Sequence, residues 1–272
     1  MSLSGKTLFI TGASRGIGRE IALKAAADGA NIVVAAKSAE AHAKLPGTIF
    51  SVAEEIVAAG GKALPLQLDV RDEEAVKVAM AQAAEHFGGI DALINNAGAI
   101  RLKGVEHLEP KRYDLMFQIN TRAVMVCSQA ALPYLKQSQG HILSLSPPLN
   151  LDPKWFASYG PYTTTKYGMS MLTLGMHEEF RKYGISVNAL WPKTVIATAA
   201  IEFEAGGPAV MKAARLPAIM ADAAYAILSS SGRSISGRLL VDEEILREQG
   251  QTDFEQYRYD PAGKLMTDLF VD

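Results

Sequence analysis

Cysteine occurs once in the 272 residues, at Cys127. A single thiol excludes an internal disulfide and gives no reason to expect an oxidising compartment. It closes an apolar run, Ala-Val-Met-Val-Cys, which assigns it to core packing rather than reactivity. Excess charge of either sign is also lacking: 27 basic and 29 acidic residues leave a net charge of −2. That balance gives no electrostatic reason to expect nucleic acid or an anionic membrane as a partner. There is no long hydrophobic run. The apolar stretch after Lys6 is soon interrupted by Gly12 and Ser14-Arg15, too early for a signal peptide or a membrane span. The last residues, Leu269-Phe270-Val271-Asp272, hold no peroxisomal tripeptide and no lipidation box, so a cytoplasmic location is expected. Repeats, low-complexity tracts and dividing linkers are missing too, and one domain over 1–272 is the expected organisation.

What is present is a large apolar fraction, 49%, enough for a sizeable core. It is laid out as alternation. Short apolar runs predict strands at 7–11, 31–36, 63–68, 92–95, 140–146, 185–190 and 239–242. Between them, amphipathic stretches predict helices at 17–29, 51–59, 73–87, 112–135 and 162–183. Strands apolar on both faces that alternate with helices imply an α/β fold, a parallel sheet covered on both sides. Two segments, 38–48 and 147–161, look like additions to this alternation; the second holds four prolines and Trp155-Phe156.

The first strand runs into Thr11-Gly12-Ala13-Ser14-Arg15-Gly16-Ile17-Gly18, and a helix follows. Glycines there permit a tight turn and let a pyrophosphate approach the helix N-terminus, where free N–H groups and the dipole favour anions. The second strand ends Ala35-Ala36-Lys37-Ser38. An acidic residue near this point would hold the ribose 2′-hydroxyl of NAD. Here Lys37 and Arg15 form a cationic pair suited to the 2′-phosphate of NADP. Asp69-Val70 follows the third strand, where a carboxylate can accept from the adenine amino group. Asn95-Asn96-Ala97-Gly98 follows the fourth, at the same carboxyl edge, where ligands bind in open α/β sheets.

Tyr162 and Lys166 stand four apart at the start of a helical pattern, so they share one face. A free phenol has a pKa of about 10. A nearby ammonium favours phenolate and should lower that value. A tuned tyrosine can give a proton to a carbonyl oxygen, or take one from an alcohol, as hydride moves at the adjacent carbon.

These motifs together, with Asn120 and Val187-Asn188-Ala189, resemble the short-chain dehydrogenase/reductase family over nearly the whole chain. Lys44-Leu45-Pro46-Gly47-Thr48-Ile49, Ser146-Pro147-Pro148-Leu149-Asn150-Leu151 and Leu190-Trp191-Pro192-Lys193-Thr194 further resemble its hydroxysteroid-dehydrogenase-like 2 branch. Members of that branch often carry a sterol-carrier domain, and this sequence stops before one could begin. The resemblance implies a Rossmann-type doubly wound sheet with Gly12, Ser14, Arg15, Gly16, Ile17 and Gly18 around a bound NADP. Lys37, Asp69 and Val70 on its adenosine side, and Asn96 and Gly98 at the carboxyl edge of the sheet, complete the cofactor site. It implies Tyr162 as acid/base, with Lys166 lowering the tyrosine pKa and bonding the nicotinamide ribose. Asn120 would hold a water that links Lys166 to solvent. Pro192 and Val195 would border the nicotinamide, and Thr198 its phosphate or ribose side. The two long helices, 112–135 and 162–183, would pair copies into a homodimer or homotetramer.

Two positions break the family pattern. Relatives usually place a serine before the active tyrosine to hydrogen-bond the substrate oxygen, and register puts Pro147 there, which has no side-chain donor. Three readings follow: Ser146 shifts into the role, a donor such as Ser158 or Tyr159 substitutes, or the contact is missing. Ser146 is taken as the assignment. Lys193 replaces the usual glycine after Pro192 and either meets a cofactor phosphate or points to solvent. The expected activity is interconversion of a carbonyl and an alcohol on an apolar lipid-, aldehyde- or sterol-like substrate. Trp155-Phe156 and the segment 196–217 would cover it. The alternative is a non-catalytic NADP(H)-binding sensor or lipid binder.

Overall fold

A computed structural model describes residues 2–42 and 45–272. Ala43 and Lys44, within the addition at 38–48, lie outside the described residues. Seven strands form one sheet: β1 (Thr7–Thr11), β2 (Asn31–Ala36), β3 (Lys62–Gln67), β4 (Ala92–Asn95), β5 (His141–Ser144), β6 (Ser186–Trp191) and β7 (Leu239–Val241). Their order is β3-β2-β1-β4-β5-β6-β7, and every pair is parallel. The helices are α1 (Gly16–Ala27), α2 (Ile49–Ala58), α3 (Glu73–Phe87), α4 (Pro110–Phe117), α5 (Ala123–Ser138), α6 (Lys154–Ala157), α7 (Gly160–Glu179), α8 (Gly207–Lys212), α9 (Ala218–Leu228) and α10 (Asp242–Glu248). This is the doubly wound sheet that the alternation implies.

Period-two alternation along each strand feeds two cores. Leu8, Ile10, Ile32 and Val34 face one way and meet α1, α2, α9 and α10. Phe9, Val33, Ala35 and Leu93 face the other way and meet α3, α5 and α7. Met220 is part of the first core. Pro65 is tolerated in β3 because that strand is at the sheet edge. The chain order reverses between β1 and β4, which opens a crevice above their carboxyl ends.

The expected single helix over 112–135 is in fact two helices, α4 and α5, joined by a π-turn at Gln118–Arg122. The cause is local. Asn120 and Thr121 in that turn are both engaged by groups outside their own helix. Thr121 Oγ1 donates to the Thr165 carbonyl of α7 at 2.7 Å. Gly168 allows this approach, since a Cβ there would lie 2.7 Å from Thr121 Cγ2. The β5 strand likewise stops short of the expected residue 146, because Ser146 N turns back to the Ser144 carbonyl at 3.0 Å.

Gly168→Val should force α7 off the π-turn and cost about 1–3 kcal/mol, the usual penalty for an overpacked contact. Urea denaturation of the variant beside the wild type measures it, and an unchanged midpoint would show that the contact yields freely.

Candidate active site

The glycine-rich turn after β1 leads directly into α1. Gly12 and Gly16 have φ of +67° and +57°, a region that disfavours side chains. A Cβ on Gly12 would sit 2.9 Å from Ala97 Cα, and one on Gly18 2.4 Å from Asn96 Nδ2. The side chain of Asn96 explains this crowding: Nδ2 donates to the carbonyls of Thr11 and Gly12 at 2.8 and 3.0 Å. Thr11 Oγ1 in turn accepts from Asn96 N and Ala97 N, both at 3.0 Å. The loops after β1 and β4 are thereby locked to each other.

Above them lies a cavity of about 570 Å³. Gly12, Ser14, Arg15, Gly16 and Ile17 line it from the first turn, and Asn96 and Gly98 from the fourth strand's loop. Lys37, Asp69 and Val70 line its far side. Gly18 lies behind the lining, where its missing side chain makes room for Asn96. Arg15 crosses the cavity rim: Nε donates to the Pro46 carbonyl, and Nη2 to Ser38 Oγ and the Gly47 carbonyl, each at 3.0 Å. Burial lowers its pKa from the ordinary arginine value. Asp69 is held well below the usual carboxylate range by the Arg71 guanidinium, with Lys37 Nζ 3.3 Å away. Its oxygens are thus shared with two cations, as well as facing the cavity where an adenine amino group was expected. The glycine-rich turn at a helix N-terminus, opening on a trough flanked by Arg15 and Lys37, fits a phosphorylated dinucleotide.

A second cavity of about 460 Å³ continues from the first, sharing Ile17, Asn96, Gly98 and Thr198. Tyr162, Lys166, Pro192 and Val195 line it, as expected of a common site. Lys166 Nζ donates to the Leu145 carbonyl at 2.6 Å and lies 4.9 Å from the Trp191 ring centroid. Burial pushes its pKa down to about 7, opposed by the charge of Asp268. Tyr162 departs from expectation. Burial pushes its phenol above the ordinary value and Asp268 adds to the rise, so no lowering by Lys166 is seen. Desolvation wins here because the ammonium is directed at a carbonyl and a ring face.

Asn120 is fully buried but lines neither cavity. Its Oδ1 accepts from Ala99 N at 2.8 Å, and its Nδ2 donates to the Ala99 carbonyl and to Thr165 Oγ1 at 3.0 and 2.9 Å. The side chain therefore ties the loop after β4 to α7. Ser146 is also kept from the cavity: its hydroxyl is completely buried and, among the described residues, has no hydrogen-bond partner. Ser158 is exposed, and Tyr159 packs against Phe270. None of the three expected substitutes for the serine at 147 faces the second cavity. Trp155 and Phe156 do not cover it either; they pack on Phe270 and Tyr167. Lys193 reaches neither a phosphate site nor solvent alone, since its Nζ donates to the Asp272 carbonyl at 2.7 Å.

The sequence reading missed the strap at 266–271. It runs along the loop after β6: Val195 N donates to the Met266 carbonyl at 3.0 Å and Asp268 N to the Lys193 carbonyl at 3.1 Å. Trp191 Nε1 donates to the Leu269 carbonyl at 2.8 Å. Phe270, fully buried, stacks on Tyr162 at 6.3 Å and touches Trp155, Tyr159, Tyr167 and Trp191. Asp268 lines the second cavity, and burial pushes its carboxyl up to about 7. Nearby, Asp242 is fully buried and pushed up to about 6; its Oδ1 accepts from Lys193 N at 2.8 Å. The only available signal was the apolar triplet Leu269-Phe270-Val271.

The chain belongs to the short-chain dehydrogenase family, whose model matches residues 6–205. Within that class the resemblance to the hydroxysteroid-dehydrogenase-like 2 branch holds. The chain is 56% identical over 271 residues to hydroxysteroid dehydrogenase-like protein 2 of Xenopus laevis, covering 99% of this chain and 64% of that protein. It thus spans less than two thirds of that relative. A putative dehydrogenase from Xanthomonas campestris has the same fold, with a TM-score of 0.96 and 51% identity over 100% of both chains. A short chain dehydrogenase from Burkholderia cenocepacia, in complex with NADP, matches with a TM-score of 0.75 and 30% identity, over 89% of this chain and 97% of that one.

The raised Asp268 carboxyl has a stability consequence. Its native pKa of about 7 stands above the ordinary 3.8, so across that window the native state holds a proton the unfolded chain has released. Stability from this group is present at low pH and lost as pH rises towards 7. Asp268→Asn removes the effect while Asp242, of the same sign, remains in both proteins. The variant should gain stability relative to the wild type between about pH 4 and about pH 8; a difference flat with pH, by urea denaturation, would contradict the shift.

Proposed function

We propose that this chain is an NADP(H)-dependent oxidoreductase that interconverts a carbonyl and an alcohol on an apolar, lipid-, aldehyde- or sterol-like substrate, with Tyr162 as acid/base. The observation that carries the reading is the sharing of one trough: the cavity of Tyr162 and Lys166 opens into the glycine-turn cavity along Ile17, Asn96, Gly98 and Thr198. When bound, the nicotinamide supplies or accepts the hydride. Tyr162 holds the proton that the reacting oxygen gains or loses. Lys166, a buried ammonium beside it, favours phenolate once its charge is turned from the Leu145 carbonyl towards the phenol. Asn120 keeps α7 and the loop after β4 in register beneath the pair.

Several observations support the finer points. Lys37 and Arg15 flank the trough where an NAD enzyme would carry an acid, and the Burkholderia cenocepacia relative is a complex with NADP. Apolar groups such as Leu102, Trp191, Ile196, Ile201 and Val210 dominate the second cavity and suit an apolar substrate. The relative from Xenopus laevis bears a hydroxysteroid dehydrogenase-like name. Exposed Phe117 and Met125 on α4 and α5, with Met171 and Leu174 on α7, support pairing of copies through these helices. Among the described residues, no helix is long and apolar enough to cross a membrane. The second reading, a non-catalytic NADP(H) binder, draws on the distance of Ser146 from the cavity.

Purified protein should oxidise NADPH with at least one of decanal, cyclohexanone and androstenedione. Tyr162→Phe should lower turnover about 10²–10⁴-fold, the range for a positioned acid/base, while leaving NADPH binding intact. Full turnover in that variant would refute the mechanism, and tight binding with no turnover in the wild type would favour the second reading. Lys37→Asp should weaken NADPH more than NADH in fluorescence titrations; equal weakening would remove the case for a 2′-phosphate site.

A further inference from the structure

Resting on the oxidoreductase reading, we propose that Asp268 is a further catalytic residue of this site, its carboxyl donating a hydrogen bond to the substrate oxygen that Tyr162 protonates. A carbonyl oxygen has two lone pairs, and one tyrosine satisfies only one of them as negative charge develops. The remaining polar lining of the second cavity must supply the other donor. Pro147 offers none, and Ser146 is turned into the protein. Asn96 Nδ2 is spent on the Thr11 and Gly12 carbonyls, and Lys166 Nζ points at the Leu145 carbonyl. Thr198 and Thr267 also line the cavity with hydroxyl donors, but Asp268 is the lining acid whose charge acts on both Tyr162 and Lys166.

Asp268 is placed for the task. Backbone bonds hold the strap on both sides of it, through Met266, Asp268 itself and Leu269. Phe270 anchors the strap against the Tyr162 ring. Oδ1 accepts from Leu269 N at 2.6 Å, whereas Oδ2 makes no hydrogen bond to any described residue. Asp268 lines the second cavity together with both members of the proton-handling pair, and its charge raises the pKa of each. Among the described residues, four titratable groups interact with its charge: Tyr159 just before α7, Tyr162 and Lys166 on α7, and Asp242 at the start of α10. Burial keeps it protonated up to about pH 7, and a neutral carboxylic acid in an apolar site is a hydrogen-bond donor. No bond at Asp268 breaks in turnover. The proton that ends on the substrate oxygen is that of Tyr162, and Asp268 retains its own.

Above about 7 the ionised carboxyl has no proton to donate and repels the developing alkoxide. Reduction should slow as pH rises through that value.

The test uses the fastest carbonyl compound of the three named above. Asp268→Leu should lower turnover about 10²–10³-fold, as expected for loss of one such donor, with NADPH affinity unchanged. Asp268→Asn retains a donor that cannot ionise. It should keep most of the turnover and lose the decline near pH 7. Turnover of Asp268→Leu within threefold of wild type, or an Asp268→Asn profile that still declines there, overturns the proposal. Tyr162→Phe in the same assay separates the two readings, since its full activity would defeat the oxidoreductase assignment itself. A measurement on the wild type guards against misfolded variants. In protein labelled with carboxyl-¹³C aspartate and saturated with NADP⁺, one resonance should titrate near pH 7 and shift when decanal is added; no resonance that does both overturns the proposal.

Discussion

The hydroxyl of Thr11 sits where the sheet changes direction, and much else depends on the bonds it makes. It donates to the Ile94 carbonyl at 3.2 Å and accepts from the amides of Asn96 and Ala97. Asn96 returns the connection through the carbonyls of Thr11 and Gly12. Parallel strands meet only through crossovers, so the loops leaving β1 and β4 would otherwise diverge above the sheet. The bonds keep them together and shape both cavities, since Gly12, Asn96 and Gly98 line one or both of them. Each buried bond adds only about 1 kcal/mol, but leaving one donor unpaired here costs about 1–3 kcal/mol, and that asymmetry fixes the geometry.

A second constraint is desolvation at the other end of the trough. Lys166 is pushed down to about 7 and Asp268 up to about 7 by the same burial. An acid and a base moved towards each other in this way both titrate near neutral pH, which isolated side chains do not. Asp242 extends the effect behind the loop after β6, where it grips Lys193 N and opposes the ionisation of Asp268. The protonation of this region belongs to the group rather than to one residue.

The strand and helix alternation was legible because each face of each strand is apolar, and that pattern fixes both the sheet and its layers. The glycine turn and the Tyr162–Lys166 spacing were legible because both are local. The break at Gln118–Arg122 was not, since the bonds that open it come from Ala99 and Thr165, distant in sequence. The expected shift of Ser146 into the place that register gives to Pro147 is not seen, because the chain turns at Ser144 and buries the hydroxyl. The strap was invisible for the same reason as the π-turn: Phe270 and Asp268 acquire meaning only when 266–271 lies against the loop after β6. The basic pair was legible as charge but not as geometry, since Arg15 binds the segment at 38–47 and Lys37 pairs with Asp69.

Whether that strap is a fixed wall can be decided by magnitudes. Phe270 has φ of +72°, a left-handed backbone unusual for a bulky residue. Such a conformation costs about 1–3 kcal/mol. Burying its side chain returns about 1.5–3 kcal/mol. Contacts with five aromatic rings add further, at about 0.5–1.5 kcal/mol for a well-oriented pair. The bonds of Trp191 Nε1 and Val195 N to the strap act in the same direction. Packing therefore outweighs the backbone strain, and the strap belongs to the native site. The strain has a use: the reversal at residue 270 turns the aromatic ring under Tyr162 while residue 268 stays at the cavity wall. A residue free to relax to negative φ would not satisfy both placements.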